Sequence, residues 1–484
     1  MIDYNEDTIA AIATKLGVGA ISIIRVSGKD AIPLVNKIFS GKDLEKVDTH
    51  TINYGYIKKE NEKIDEVLVS VMKAPKTFTR EDVVEINCHG GINSTLAVFS
   101  LLQEIGIRVA EKGEFTKRAF LNGRIDLTEA EAIMDLIESK SDNQRKLAMN
   151  SLEGKLKNYI HSFREPLKKL IANIEVNIDY PEYYDIEEVT KKDIEKEVEK
   201  LIPKLQKTIE ESKSHQIVKS GIKTVIVGRP NVGKSSILNT LINQEKAIVT
   251  DIEGTTRDIV EGTVFINGVE LSLIDTAGIR NTDNVVEKIG VEKSLELLEE
   301  ADLVLAVFNI NEELSKEDKE LIAKLNKDKT IIVLNKDDLV HKINKSSFDF
   351  YHIVSTNTNS LEGLDSLKNE IIKMFSLDML EETDTFLANN RQLTCANKAL
   401  ETLLKIRENI KSDLPLELIE IDLQEVLNEL GTITGEVYDE ELLDTLFENF
   451  CVGKWLTIRS QVNFIKNLKK IFVTRQKDFK NVNF

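Results

Sequence analysis

Hydrophobic positions along this chain change period several times, and each change marks a boundary. Runs at Ala20 to Val26, Val67 to Met72 and Val83 to Asn87 carry the pattern of β-strands, whereas Lys29 to Phe39 and Ile92 to Ile105 repeat apolar residues at helical spacing. Residues 1–120 therefore predict one small α+β domain. From about Asp126 the period becomes helical. Thr128-x-x-Glu131 predicts a capping box, and Leu156, Ile160, Phe163, Leu167, Leu170 and Ile174 recur at steps of three and four. Tyr180-Pro181 predicts a break, beyond which Ile194, Val198, Leu201, Leu205 and Ile209 share one face of a further helix, the rest being largely Lys and Glu.

Around Lys219-Ser-Gly221 the pattern turns to alternating strands and helices, which last to about residue 376, and helical spacing returns from Asn389 to Phe450. Alternation of that kind predicts a mainly parallel α/β sheet. Helical texture on both sides predicts a helical domain, 121–217 and 379–454, into which a P-loop domain, 218–378, is inserted; a basic extension occupies 455–484. The fold class expected is thus multidomain α/β plus all-α.

The insertion owes its label to Gly228-Arg-Pro-Asn-Val-Gly-Lys-Ser-Ser236, which follows the apolar run Ile222 to Val227 and opens into Ile237 to Ile242. In a G-x-x-x-x-G-K-S loop the backbone amides turn inward around a polyphosphate, Lys234 reaches the β/γ-phosphates and the Ser235 hydroxyl meets Mg2+. Asn231, Val232, Gly233 and Ser236 complete the expected phosphate cradle. A second loop, Asn335-Lys-Asp-Asp338, follows the strand Thr330 to Leu334 and reads N-K-x-D. Asp338 can accept from guanine N1-H and the 2-amino group, which adenine cannot offer, so GTP and GDP are the expected ligands. Lys336 belongs to the same loop, and Ser355 occupies the place of its base-contacting partner. Asp275-Thr276-Ala277-Gly278, after Glu270 to Ile274, reads D-x-x-G and sets a carboxylate near Mg2+ and the Gly278 amide near the γ-phosphate. Between these lies Thr250-Asp251-Ile252-Glu253-Gly254-Thr255-Thr256, a polar stretch able to close over the nucleotide, with Thr256 a second hydroxyl for Mg2+.

Ile279 stands where Ras-like enzymes place the glutamine that orients water, and an isoleucine cannot do that. Glu287 is the candidate replacement, against a plain solvated acid. No arginine finger is obvious; a cation beside Asn231, ringed by carbonyls of the Thr250 to Thr255 loop, could supply the charge instead.

Composition narrows the partners. In 484 residues, 64 Lys+Arg oppose 82 Asp+Glu, a net charge of −18, so the body should repel nucleic acid unless a patch or partner intervenes. The 3 cysteines, Cys88, Cys395 and Cys451, form no C-x-x-C pair, which fits free thiols in a reducing compartment. No apolar run approaches the roughly 18 residues of a membrane span and no signal pattern opens the chain, so a cytoplasmic protein without a membrane span is expected.

Taken together with Asp7-Thr-Ile9, Arg25-Val-Ser-Gly28, Phe78-Thr-Arg-Glu-Asp82, His89-Gly-Gly91, Gly113-Glu-Phe-Thr-Lys-Arg-Ala-Phe-Leu-Asn122, Gly254-Thr-Thr-Arg-Asp258 and Phe450-Cys-Val-Gly-Lys454, these features make the chain resemble the MnmE (TrmE) family of tRNA-modification GTPases over nearly its whole length. The resemblance implies a K+-activated GTPase whose G domains pair across a homodimer, with Asn231, Thr250, Ile252 and Thr255 matching the K+ ligands and Glu287 the catalytic glutamate. It implies an N-terminal domain that dimerises and binds 5-formyl- or methylene-tetrahydrofolate, at positions matching Arg25, Glu85, Arg124 and Lys454; the family usually has lysine at Arg124. It implies a flavoprotein partner, MnmG (GidA), which carries FAD and forms a heterotetramer with it. Together they add a carboxymethylaminomethyl or aminomethyl group at C5 of the wobble uridine in tRNA, with tRNA contacted mostly through the partner. Taken as residues alone, Glu85 reads first as the polar face of a strand, and Cys451 as readily as an ordinary thiol as a catalytic one.

The chain departs from the family after Lys454, where residues 455–484 carry seven Lys/Arg against one Asp and the only tryptophan, Trp455. That segment reads either as a basic tRNA-contacting helix or as sequence translated past the usual stop. Two other functions share the nucleotide motifs: an Era- or EngA-like ribosome-assembly GTPase, and a switch that binds nucleotide to dimerise with little turnover. The flanking motifs speak against the first, Glu287 against the second.

Overall fold

The computed structural model describes residues 7–179, 191–244, 262–275, 297–348, 351–357, 363–375, 377, 386–412, 414–448 and 450. The chain divides into two compact units, one formed by the residues up to Met134 together with those from Gly435, the other by Asp135–Thr434.

In the first unit β1 (Ile9–Ile12), β2 (Ile21–Ser27), β3 (Phe39–Ser40), β4 (Thr51–Lys59), β5 (Glu62–Met72), β6 (Val83–His89) and β7 (Arg108–Val109) form a sheet of order β3-β4-β5-β6-β2-β1-β7. All its pairings are antiparallel except β1 with β7. Side chains alternate across a strand, so Val67, Val69 and Val71 of β5 and Val84, Ile86 and Cys88 of β6 enter the core beside α1 (Ala31–Asn36) and α2 (Ile92–Glu104). Arg25 and Glu85 fall on the other face, directly opposite one another in the β2–β6 register. α1 is shorter than the helical spacing of Lys29 to Phe39 suggested. Phe39 and Ser40 pair instead with Ile57 and Tyr56 of β4, a strand contact that overrides the local pattern.

α3 (Glu114–Leu121), α4 (Leu127–Glu138) and the helix Glu440–Glu448 meet through Phe120, Leu127, Leu443 and Phe447. Gly113 permits that meeting. Its φ is +66°, and a Cβ there would lie 2.5 Å from the Phe447 carbonyl oxygen. The cap of α4 sits two residues before the expected box. Asp126 Oδ1 accepts from the Glu129 amide at 2.7 Å while Glu129 Oε2 accepts from the Asp126 amide at 2.7 Å, and Thr128 merely donates to Asp126. A carboxylate suits the positive end of the helix better than a hydroxyl.

The second unit opens with α5 (Asp142–Leu152), α6 (Lys155–Asp179) and α7 (Lys191–Ser220). Its sheet follows: β8 (Ile222–Val227), β9 (Gly262–Ile266), β10 (Val269–Asp275), β11 (Leu303–Asn309), β12 (Thr330–Asn335) and β13 (His352–Thr356), in the order β13-β12-β11-β8-β10-β9, with α8 (Lys234–Gln244), α9 (Lys316–Lys324) and α10 (Leu364–Met374). Only β9–β10 is antiparallel. β11 and β12 are buried at every residue, which is why they read as unbroken apolar runs.

α11 (Asn390–Lys411) and α12 (Leu416–Thr434) then rejoin α6 and α7 around one core. Leu156, Ile160, Phe163, Leu167 and Ile174 enter it as their spacing predicts, with Ile171 fully buried where Leu170 is only partly so.

Candidate functional site

In doubly wound sheets ligands bind beyond the carboxyl ends of the strands. Here the loop after β8 carries the phosphate motif, and those after β12 and β13 carry the base motif. Three residues of the first loop have positive φ: Gly228 at +149°, Asn231 at +63° and Gly233 at +104°. Space makes the same demand as backbone conformation at both glycines. A Cβ at Gly228 would stand 2.3 Å from the Val307 carbonyl oxygen, and one at Gly233 2.0 Å from Asn335 Nδ2.

The base loop braces the phosphate loop. Asn335, 1% exposed, donates from Nδ2 to the Val232 carbonyl at 3.0 Å and accepts from Thr356 Oγ1 at 3.3 Å. Lys336 donates to the Asn231 carbonyl at 3.2 Å. Lys234 Nζ donates to the carbonyls of Gly228 at 2.8 Å and Arg229 at 3.0 Å, which holds the ammonium in the loop. Ser235 and Ser236 are exposed in the first turn of α8, Asp338 is exposed in the base loop, and Asp275 is the last residue of β10, paired in register with Ile226. Ser355 Oγ is buried without a hydrogen-bond partner, an orphaned polar atom beside the base loop that suits a polar ligand. Thr250, Asp251, Ile252, Glu253, Gly254, Thr255, Thr256, Thr276, Ala277, Gly278 and Glu287 lie outside the described residues.

A second cluster stands in the first unit. Arg25 Nε donates to Glu85 Oε1 at 2.8 Å, and its guanidinium lies 5.8 Å from the Phe78 ring centroid and 5.9 Å from that of Phe115. Arg124 approaches Phe78 too, 4.8 Å from the centroid, with Nη1 donating to the Phe78 carbonyl at 3.1 Å. Burial pushes the Arg124 guanidinium below its ordinary pKa, with Arg80 adding repulsion. The structure thus gathers Arg25, Glu85 and Arg124 around Phe78, whose part the sequence reading did not single out. Lys454 and Cys451 lie outside the described residues.

A network of buried charge, also missed from sequence, holds the loop bearing Phe78. Ser27 Oγ donates to Glu81 Oε2 at 2.7 Å, Asn122 Nδ2 donates to the Thr79 carbonyl at 2.6 Å, and Arg118 reaches Glu81 at 3.1 Å. Arg118, 2% exposed, also pairs with Glu114 at 2.9 Å and with Asp7, while Arg108 pairs with Asp7 and Glu114. Burial alone would raise the Glu114 pKa; Arg108, the Glu111 amide and Arg118 outweigh it and hold the carboxyl below its ordinary value. Asp7, Glu81, Glu114 and Arg118 fall within the strings that carry the family resemblance, but the local signal for pairing was the Glu114, Arg118 spacing of four on a helix.

A Gly-braced phosphate loop locked to an N-K-x-D loop on a mainly parallel sheet defines a P-loop protein of the guanine-nucleotide class. The profile of the MnmE helical domain matches residues 127–451, and that of the GTP-binding protein TrmE N-terminus matches residues 8–124. The chain belongs to the MnmE family of tRNA modification GTPases. It is 49% identical to the tRNA modification GTPase MnmE of Ligilactobacillus salivarius over 461 residues, covering 94% of this chain and 99% of that one. The protein of the same name from Streptococcus thermophilus is 50% identical over 450 residues, covering 93% and 98%. The chain is accordingly a GTPase of tRNA modification, and the family uses nucleotide with Mg2+. Among the described residues, no helix is long and apolar enough to cross a membrane.

Proposed function

We propose that the chain is a potassium-activated GTPase of the cytoplasm which, as a homodimer and with an FAD-carrying MnmG-type flavoprotein in a heterotetramer, adds a carboxymethylaminomethyl or aminomethyl group at C5 of wobble uridine in tRNA. The observation that carries the reading is the presence in one chain of two built sites, the braced guanine-nucleotide loops and the Arg25–Glu85–Phe78–Arg124 cluster. The domain division given by texture, with the G domain at 218–378, goes with this reading.

At the nucleotide site Lys234 holds the β/γ-phosphates, Asp338 reads guanine, and Ser235 with Thr256 holds Mg2+, which when bound neutralises charge on the phosphates. Asn231, exposed at the turn of the loop, is the described member of the K+ set whose other members are Thr250, Ile252 and Thr255. Glu287 orients the water and Gly278 binds the γ-phosphate. In the first unit, two guanidiniums beside one aromatic ring suit a conjugated, anionic ligand, and the Glu85 carboxylate can accept from its N–H groups. A tetrahydrofolate fits those demands and supplies the one-carbon unit when bound. Arg25, Glu85, Arg124 and Lys454 bind and orient it.

The test is steady-state turnover of GTP and ATP, each in potassium and in sodium at matched ionic strength. Hydrolysis confined to GTP and faster in potassium is expected. Equal rates in both salts would remove the cation from the mechanism. Separately, Arg25→Met should weaken 5-formyl-tetrahydrofolate binding about tenfold with GTP turnover unchanged, since one charge-assisted contact is worth roughly 1.5 kcal/mol.

A further inference from the structure

The geometry points to Arg229 as a positioning residue of the phosphate site, acting through its own carbonyl on Lys234. This rests on the GTPase class of the chain and not on its tRNA chemistry.

Arg229 is the second residue of the phosphate loop, and the motif leaves that position open. Its side chain leaves the loop for the connection after β11, which carries Glu312, and for the first turn of α9, which carries Asp318. Nε donates to Asp318 Oδ1 at 2.9 Å and Nη2 to Glu312 Oε2 at 3.1 Å. Asp318 is 2% exposed and already committed, since its Oδ2 accepts from the amide and hydroxyl of Ser315 at 3.0 and 2.9 Å while its own amide donates to Ser315 Oγ at 3.1 Å. That reciprocal box fixes the carboxylate to the first turn of α9. Arg229 is therefore tied to a rigid point.

The residue before a proline is confined to extended backbone, and Pro230 follows Arg229. With the side chain anchored and ψ restricted, the direction of the Arg229 carbonyl is set. That carbonyl accepts from Lys234 Nζ at 3.0 Å, beside the Gly228 carbonyl at 2.8 Å. Gly228 rests in turn on Val307 of β11. β11, the connection after it and the first turn of α9 thus hold both carbonyls that aim the lysine. Cutting the tie lets the Arg229 peptide rotate and takes one acceptor from the ammonium, which weakens any phosphate the lysine binds. Base recognition, braced separately through Asn335, is untouched.

The experiment measures fluorescent GDP binding and steady-state GTP hydrolysis on the full chain. Arg229→Met should raise the GDP Kd and the GTP KM together by about tenfold, with kcat at saturation within about twofold. Arg229→Lys, which keeps charge but not the fork, should lose about threefold. In an Asp318→Ala background, where the buried acceptor is gone and only the exposed Glu312 remains, Arg229→Met should cost no more than about threefold. Unchanged nucleotide affinity with a lowered melting temperature would reduce the pair to a structural staple and overturn the proposal. So would a fall in kcat at unchanged KM, or full additivity in the double substitution. Should Arg229→Met fail to fold, Arg229→Lys binding GDP as tightly as the unaltered chain would overturn it equally.

Discussion

The nucleotide site and the arginine cluster are built by opposite means. The first is made of backbone: carbonyls and amides of one short loop, in conformations that only glycine or asparagine tolerates easily, with side chains of the base loop bracing them. The second is made of side chains drawn from β2, β6, the Phe78 loop, α3 and the turn between α3 and α4, held by ion pairs that reach across as many as 111 positions, from Asp7 to Arg118. A backbone site is fragile to steric insertion at single positions. A side-chain site is fragile to loss of charge balance anywhere in its support.

That contrast predicts where each site breaks. Arg118→Met should have the largest effect, destabilising the first unit by about 3–5 kcal/mol, because it removes the buried cation shared by Asp7, Glu81 and Glu114, leaving half-buried Glu81 without its ion pair and buried Glu114 with Arg108 alone. Urea titration followed by circular dichroism would measure it, and GDP affinity should not change. A loss below about 1 kcal/mol would mean that water replaces the guanidinium and that the network is not what holds the Phe78 loop.

Gly233→Ala should do the reverse, sparing the first unit while lowering GDP affinity about a hundredfold, near 2.7 kcal/mol. The added methyl meets Asn335 Nδ2, and the φ of +104° is strained for alanine. Affinity within about threefold of the unaltered chain would show that Asn335 can swing away and that the brace between the two loops is dispensable.

The same contrast explains what the sequence made legible. G-x-x-x-x-G-K-S and N-K-x-D are local strings, because a backbone site needs particular residue types at fixed spacing, and the structure puts Gly233 and Asn335 against each other. Strand and helix periods were legible for the same reason in α6, α7, β8 and β12, where burial repeats along one element. Asp7, Glu81, Arg108, Glu114 and Arg118 were not, since their pairing is set by the tertiary approach of segments that carry no shared pattern. Phe39 and Asp126 failed locally for a related reason: a strand partner and a better-charged cap, each outside the window of the pattern, decided their states.

The smallest effect tests whether side-chain support extends to the far end of β6. His89 is exposed, yet its Nδ1 lies 2.6 Å from Asp65 Oδ1, and Asp65 Oδ2 accepts from Ser94 Oγ at 2.6 Å and from the His89 amide at 2.9 Å. The hydrogen bond to Asp65, aided by that charge and by Glu66, raises the His89 pKa above its ordinary 6.5. Burial works against the Asp65 carboxylate, but Ser94 and His89 more than offset it and lower its pKa from 3.8. A raised histidine contributes stability that is complete below about 6.5 and disappears as pH rises through the folded value, whereas a depressed aspartate contributes stability that is lost as pH falls through its own. The pair should therefore be fully formed between about pH 4 and 6.5. Melting temperature should decline from pH 6 to 8 more steeply in the unaltered chain than in His89→Asn, by a degree or two at most for so exposed a group. Parallel declines in the two proteins would show that the imidazole contributes nothing, and would confine the side-chain network to the arginine end of the sheet.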